Sequence, residues 1–266
     1  MRLPSLTGAQ WSVCVLDADT GENLAHEGED RVLRTASGGK LFLLVETARR
    51  LVAGELDGTE RLVRTADDQL PYISLWDLLD QGELTVRDVA QLTAAVSDNT
   101  ATNVLLRRVG LDAVTATTRS LGFTASGLLD RVRADRTPDL PPTLSLGTAA
   151  ELADLLARLH RDEILGAEVS GLVRTWIGAN VDTGLVADAF HPDPLEHNTW
   201  DRDRWLINKT GTIETARADV GLVHSRERAL AWAVIANWDD EVDRRDEVLA
   251  SMRAIGAVIR DELAAS

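Results

Sequence analysis

The chain is nearly devoid of cysteine: Cys14 stands alone among 266 residues. An internal disulfide is thereby excluded, and so is a cysteine-built zinc site. Long apolar runs are missing as well, and none approaches the roughly 20 residues that a membrane helix needs. The opening MRLPSLTGAQ has no basic segment leading into an apolar stretch, so no secretion signal is visible. The expectation is a cytoplasmic protein in a reducing compartment, or an exported one had a leader been trimmed. Positive charge is scarce: 28 Lys and Arg face 43 Asp and Glu, a net charge of −15. Nucleic acid and anionic membrane are poor partners for such a chain, because both are bound by neutralising phosphate. Repeats and low-complexity tracts are lacking. A hydrophobic fraction of 44% with seven tryptophans suits a packed globule.

Lysine is the scarcest charged residue. Only Lys40 and Lys209 occur, and arginine supplies the other 26 positive side chains. A chain that uses guanidinium for generic charge has a chemical reason to place an amine. The amine can shed its proton when desolvated, whereas arginine stays charged.

Periodicity organises the rest. WSVCVLD (residues 11–17) reads as a buried strand, and after the turn ADTG a second short strand follows near 22–26. LFLLVETARRLVAGEL has the apolar spacing of a buried helix, and helical spacing dominates residues 59–190. VRADRTPDLPPTLSL (132–146) breaks that pattern with three prolines and reads as a loop. A second irregular stretch spans 191–204. WLINKTGT, ADVGLVHS and ALAWAVIANW then read as three strands, and an amphipathic helix closes the chain near 243–264. Strands at both termini with helices between them predict an α+β fold: one antiparallel sheet built from both ends, flanked by helices. The expected division is a sheet lobe (about 1–58 and 198–266) with an inserted helical lobe (about 59–197).

Three motifs carry chemistry. Ser37-Gly38-Gly39-Lys40 opens the first long helix, and i,i+3 spacing puts hydroxyl and amine on one face. A desolvated amine can take the proton of a serine hydroxyl, and free N–H groups at a helix start favour developing negative charge. Ser97-Asp98-Asn99 reads both as a polar cluster and as the cap of the next helix. Lys209-Thr210-Gly211 ends a strand, where glycine is expected to leave the edge open for a ligand. Both lysines of the chain fall inside these motifs.

The ordered trio resembles that of class A β-lactamases and penicillin-binding serine hydrolases. SDNTATNVLL, LTVRDVAQL, LLDR, LVRTWIGANVDTG and KTGTIETARADVGLV extend the likeness from about residue 11 to the C-terminus. The resemblance implies a serine β-lactamase-like fold and hydrolysis of a β-lactam or related amide or ester through an acyl-Ser37 intermediate, without cofactor. It makes Lys40 the general base, Ser97 a proton relay to the leaving nitrogen and Lys209 its electrostatic tuner. Asn99 would hold a substrate amide and orient Lys40, while Thr210, assisted by Arg217, would contact a substrate carboxylate. Backbone N–H groups of Ser37 and Thr212 would form the oxyanion hole, worth about 3–4 kcal/mol per donor.

The chain departs from that pattern where a deacylating glutamate is expected after the LDR-like segment: Arg133 stands there. Asp135, with Asp139 in the same loop, is the candidate replacement. Slow deacylation follows as an expectation, and with it two alternatives: a β-lactam-binding sensor that acylates without turnover, or an esterase or peptidase of the same fold. Gly38 and Gly39 are expected to leave room beside the nucleophile. With about ten residues before the first strand, the family's usual leading helix is not expected in this sequence. His191, Asp193, Glu196 and His197 impose no ligand geometry, so no metal is expected. Tyr72 and Trp76 read as core aromatics.

Overall fold

The computed structural model describes residues 1–71, 74–193, 204–239 and 241–265. Its centre is a five-stranded antiparallel sheet. Strands β1 (Gln10–Asp17) and β2 (Asn23–Glu27) come from the N-terminal end. Three shorter pairings lie outside this sheet: β3 (Leu33–Arg34), β4 (Arg61–Val63) with β5 (Glu83–Thr85), and β6 (Gly127–Leu128) with β7 (Ser145–Gly147), the last also pairing β3. Strands β8 (Trp205–Ile213), β9 (Ala216–His224) and β10 (Ala229–Asn237) complete the sheet in the order β2-β1-β10-β9-β8. Its strands therefore come from both ends of the chain, as the sequence pattern predicts.

Among the described residues seven helices surround it: α1 (Lys40–Val52), α2 (Val86–Ala95), α3 (Asn99–Val109), α4 (Leu111–Ser120), α5 (Ala149–His160), α6 (Ala167–Gly178) and α7 (Arg245–Ala264). Alternation along the strands divides the core in two. Cys14, Leu16, Val220, Ala231 and Ala233 face the helices α1 to α6. Trp11, Val13, Val15, Trp232 and Val234 face Met252, Ile255 and Ile259 of α7. A period of two in the strands thus serves two separate apolar layers.

Capping sets the helix starts nearest the site. The Asp98 carboxylate accepts from Ala101 N at 2.8 Å and from Trp76 N at 2.9 Å, so the SDN turn both begins α3 and ties it to the preceding loop. Trp76 is fully buried, as expected, and donates to Gln81 O. Tyr72 lies outside the described residues.

Candidate active site

The nucleophile candidate does not open an α-helix directly. Residues Ala36–Gly39 form a 3-10 turn, and α1 begins at Lys40. Two glycines disfavour an α-helical start, and Ala36 enters with φ +48°. Ser37 therefore lies within this turn, and Lys40 is the first residue of α1.

Gly39 leaves no room beside the nucleophile. A β-carbon there would stand 2.2 Å from Ser145 Cβ; at Gly38 it would only reach ordinary contact with Thr35 and Ala218. The Ser145 hydroxyl donates to Ala36 O at 2.6 Å and bonds Thr35 Oγ1 at 2.7 Å, clamping the turn from behind. Sequence reading misses Ser145 because a lone serine opening a short strand carries no signal.

The glycine of the KTG segment likewise has a different task from the one its position suggests. A β-carbon at Gly211 would lie 2.1 Å from Thr35 O, 2.8 Å from Gly38 N and 3.0 Å from Ser37 N. Only hydrogen fits, so the edge strand β8 rests on the backbone of the nucleophile turn.

Lys40 is completely buried, and its nitrogen lies 2.7 Å from Ser97 O, 2.9 Å from Asn99 Oδ1 and 3.3 Å from Ser97 Oγ. None of these partners is Ser37. The amine is drawn to the SDN turn, where Ser97 adopts φ +55°. Two carbonyl acceptors use two N–H bonds; a neutral amine then keeps one lone pair for a hydroxyl, whereas an ammonium has only donors. Burial pushes the Lys40 amine well below its usual basicity, and the neighbouring Lys209 charge adds to the shift, with Asp98 opposing it.

Lys209 is also fully buried and donates to Thr210 O at 2.8 Å. Desolvation lowers its pKa to about 8 against the pull of Asp182 and Asp219. Its influence thus falls on Lys40 rather than through a hydrogen bond to Ser97.

Ser37, Asn99 and Thr212 line one cavity of about 530 Å³. Thr210 does not: its hydroxyl donates to Asp182 Oδ2 at 2.7 Å. Arg217 is turned away too, with Nη1 donating to Ile213 O and Ala216 O and the guanidinium 5.6 Å from the Trp238 ring centre. These two residues are not presented together as a carboxylate clamp. Arginine's length lets it reach backbone carbonyls that strand spacing does not reveal.

The loop after β6 forms the facing wall with Val132, Arg133, Ala134 and Arg136. Asp135 is exposed and absent from that wall, and Asp139 is exposed as well. The residues flanking 135 on the wall take the inward positions, so neither carboxylate is brought to the nucleophile. Asp130 binds Arg133 through Nε (2.7 Å) and Nη2 (3.1 Å), and Arg136 through Nη1 (2.8 Å). Asn103, buried in α3, pins the start of the loop by accepting from Val132 N and donating to Val132 O. An asparagine within the apolar run TATNVLL was the available signal for it.

Beneath β8 lies a buried polar cluster. Asn208 donates to Asp219 Oδ1 at 3.1 Å, and Val186 N donates to Asp219 Oδ2 at 2.9 Å. Burial raises the Asp219 carboxyl to a pKa of about 6. Of the His191, Asp193, Glu196 and His197 group, the last two lie outside the described residues. Among the described residues no three metal-ligating side chains converge, and no helix is long and apolar enough to cross a membrane.

The sequence pattern of the beta-lactamase enzyme family matches residues 3–263. A β-lactamase of Rhodobacter capsulatus is 26% identical over 98% of this chain and 87% of its own length. The β-lactamase regulatory protein BlaB of Streptomyces cacaoi is 26% identical over 96% of this chain and 93% of its own. The crystal structure of a β-lactamase from Sphaerobacter thermophilus shares the fold with a TM-score of 0.81 and 27% identity, over 97% of this chain and 91% of that one. Matched along nearly its whole length in sequence and in fold, the chain belongs to the beta-lactamase enzyme family, the serine hydrolases of the β-lactamase type.

Proposed function

We propose that Ser37 opens a β-lactam, or a related amide or ester, through an acyl-enzyme that is released slowly. Ser37 Oγ attacks the carbonyl carbon while its proton passes to the free amine of Lys40, directly or through water. The tetrahedral oxyanion is held by the N–H groups of Ser37 and Thr212. The carbon–nitrogen bond then breaks, and the proton moves from Lys40 through Ser97 Oγ to the leaving nitrogen, which restores the amine. Asn99 keeps Lys40 aimed at this relay. One observation carries the reading: the Lys40 amine is buried among neutral acceptors, with a hydroxyl 3.3 Å away.

Deacylation needs a base within hydrogen-bond reach of the attacking water. The loop wall that faces Ser37 offers guanidinium groups at 133 and 136, which accept no proton, and the carboxylate lining the cavity, Glu214, belongs to the β8–β9 turn. The same wall favours a second reading, a β-lactam-binding module that stays acylated.

Incubation with a penicillin followed by intact-protein mass measurement tests both. The expected result is a persistent adduct on the wild type, none on Ser37→Ala, and at least ~1000-fold slower adduct formation on Lys40→Arg. Prompt return to the unmodified mass with full substrate consumption would contradict slow release. Wild-type labelling by Lys40→Arg would place the base elsewhere.

A further inference from the structure

Resting on the acyl-Ser37 reading, we infer that this cavity selects acyl groups bearing an anionic substituent, and that Arg133 and Arg136 bind it. The chain is acidic overall, at −15, yet the cavity reverses that sign. Arg34, Arg133 and Arg136 line it against a single carboxylate, Glu214, among the described residues. Asp130 ion-pairs with both members of the 133/136 pair, and the further carboxylate acting on Arg133, Asp139, is exposed and does so without an ion-pair contact. Among the described residues the Arg34 guanidinium donates to neutral groups, Asn237 Oδ1 at 3.2 Å and Thr215 O at 3.3 Å.

The pair is also held in place. Arg133 spends Nε and Nη2 on Asp130, which is 6% exposed; among the described residues Nη1 has no partner. Arg136 is fixed by Asp130 and by Pro141 O at 2.7 Å. Guanidiniums already oriented by a buried carboxylate lose little freedom on gripping a second anion, and their planar fork suits a carboxylate or sulfonate. Val132, Ala134, Pro142 and Leu144 surround them with apolar surface. The favoured acyl group therefore has an aryl or alkyl body with an acid attached. A glutamate at 133 would repel such a group, so the substitution that removes the water-activating carboxylate also changes the charge that is welcomed.

The test compares second-order acylation rates for benzylpenicillin and its α-carboxylated analogue, which differ by one carboxylate, with intact mass as the readout. The anionic compound is expected to acylate about tenfold faster, the worth of one charge-assisted contact. Arg133→Gln, which retains a hydrogen bond to Asp130, should bring the ratio to within about twofold of unity. On the wild type, raising salt from ~50 to ~500 mM should shrink the ratio, an arm that depends on no variant. Equal rates, or a faster neutral compound, would overturn the anion subsite and leave acylation standing. No adduct from either compound would overturn the acyl-Ser37 reading and this inference with it.

Discussion

Gly211 and Ser37 are in backbone contact: a β-carbon on the first would stand 3.0 Å from the nitrogen of the second. The contact explains how a strand formed near the C-terminal end fixes a nucleophile turn near the N-terminal end. Gly211→Ala should push β8 away from residues 35–38, because the nearest obstacle, Thr35 O, is backbone and cannot swing aside. We expect a stability loss of about 1–3 kcal/mol and at least ~100-fold slower acylation. Denaturant unfolding and intact-mass kinetics measure the two effects; unchanged acylation would show that β8 does not position the turn.

The two buried lysines set opposite limbs of a pH profile. Lys40 acts as the unprotonated amine, so acylation falls as pH drops through its depressed pKa. Lys209 supplies positive charge only below about 8, so acylation falls again above that value. A bell-shaped dependence follows, with its alkaline limb near pH 8. Stopped-flow acylation across pH 5–10 reads it, and Lys209→Met should remove the alkaline limb while lowering the plateau. An alkaline limb that persists in that variant would assign it to another group.

Asp219 makes a thermodynamic prediction. Its folded pKa of about 6 exceeds the ordinary 3.8, so between these values the native state binds more protons than the unfolded one. Its contribution to stability is complete below pH 3.8 and is lost as pH rises through 6, a change of about 3 kcal/mol. Asp219→Asn lacks this titration. Denaturant unfolding at pH 4 and pH 7 should show wild type losing about that much relative to the variant, since shifts of the other carboxylates cancel in the difference. Parallel profiles would mean that Asp219 is ionised throughout.

Much of this architecture was legible in the sequence because it is written locally. Alternation in WLINKTGT and ALAWAVIANW marks strands, Asp98 before an apolar helix marks a cap, and two lysines in an arginine-rich chain mark chemistry. What stayed hidden depends on distant partners. Gly211 reads as an open edge until Thr35 is placed against it, and Gly39 reads as space until Ser145 fills it. Thr210 and Arg217 read as ligand contacts, but Asp182 and backbone carbonyls take them first. The loop after β6 carries two free-looking carboxylates, Asp135 and Asp139, whereas Asp130 just before it decides which side chains turn inward.

The complete burial of Lys40 and Lys209 also has a practical side. Amine-directed dyes, cross-linkers and coupling resins meet no lysine on the folded surface. Any slow modification of position 40 or 209 would report how often this interior opens to solvent.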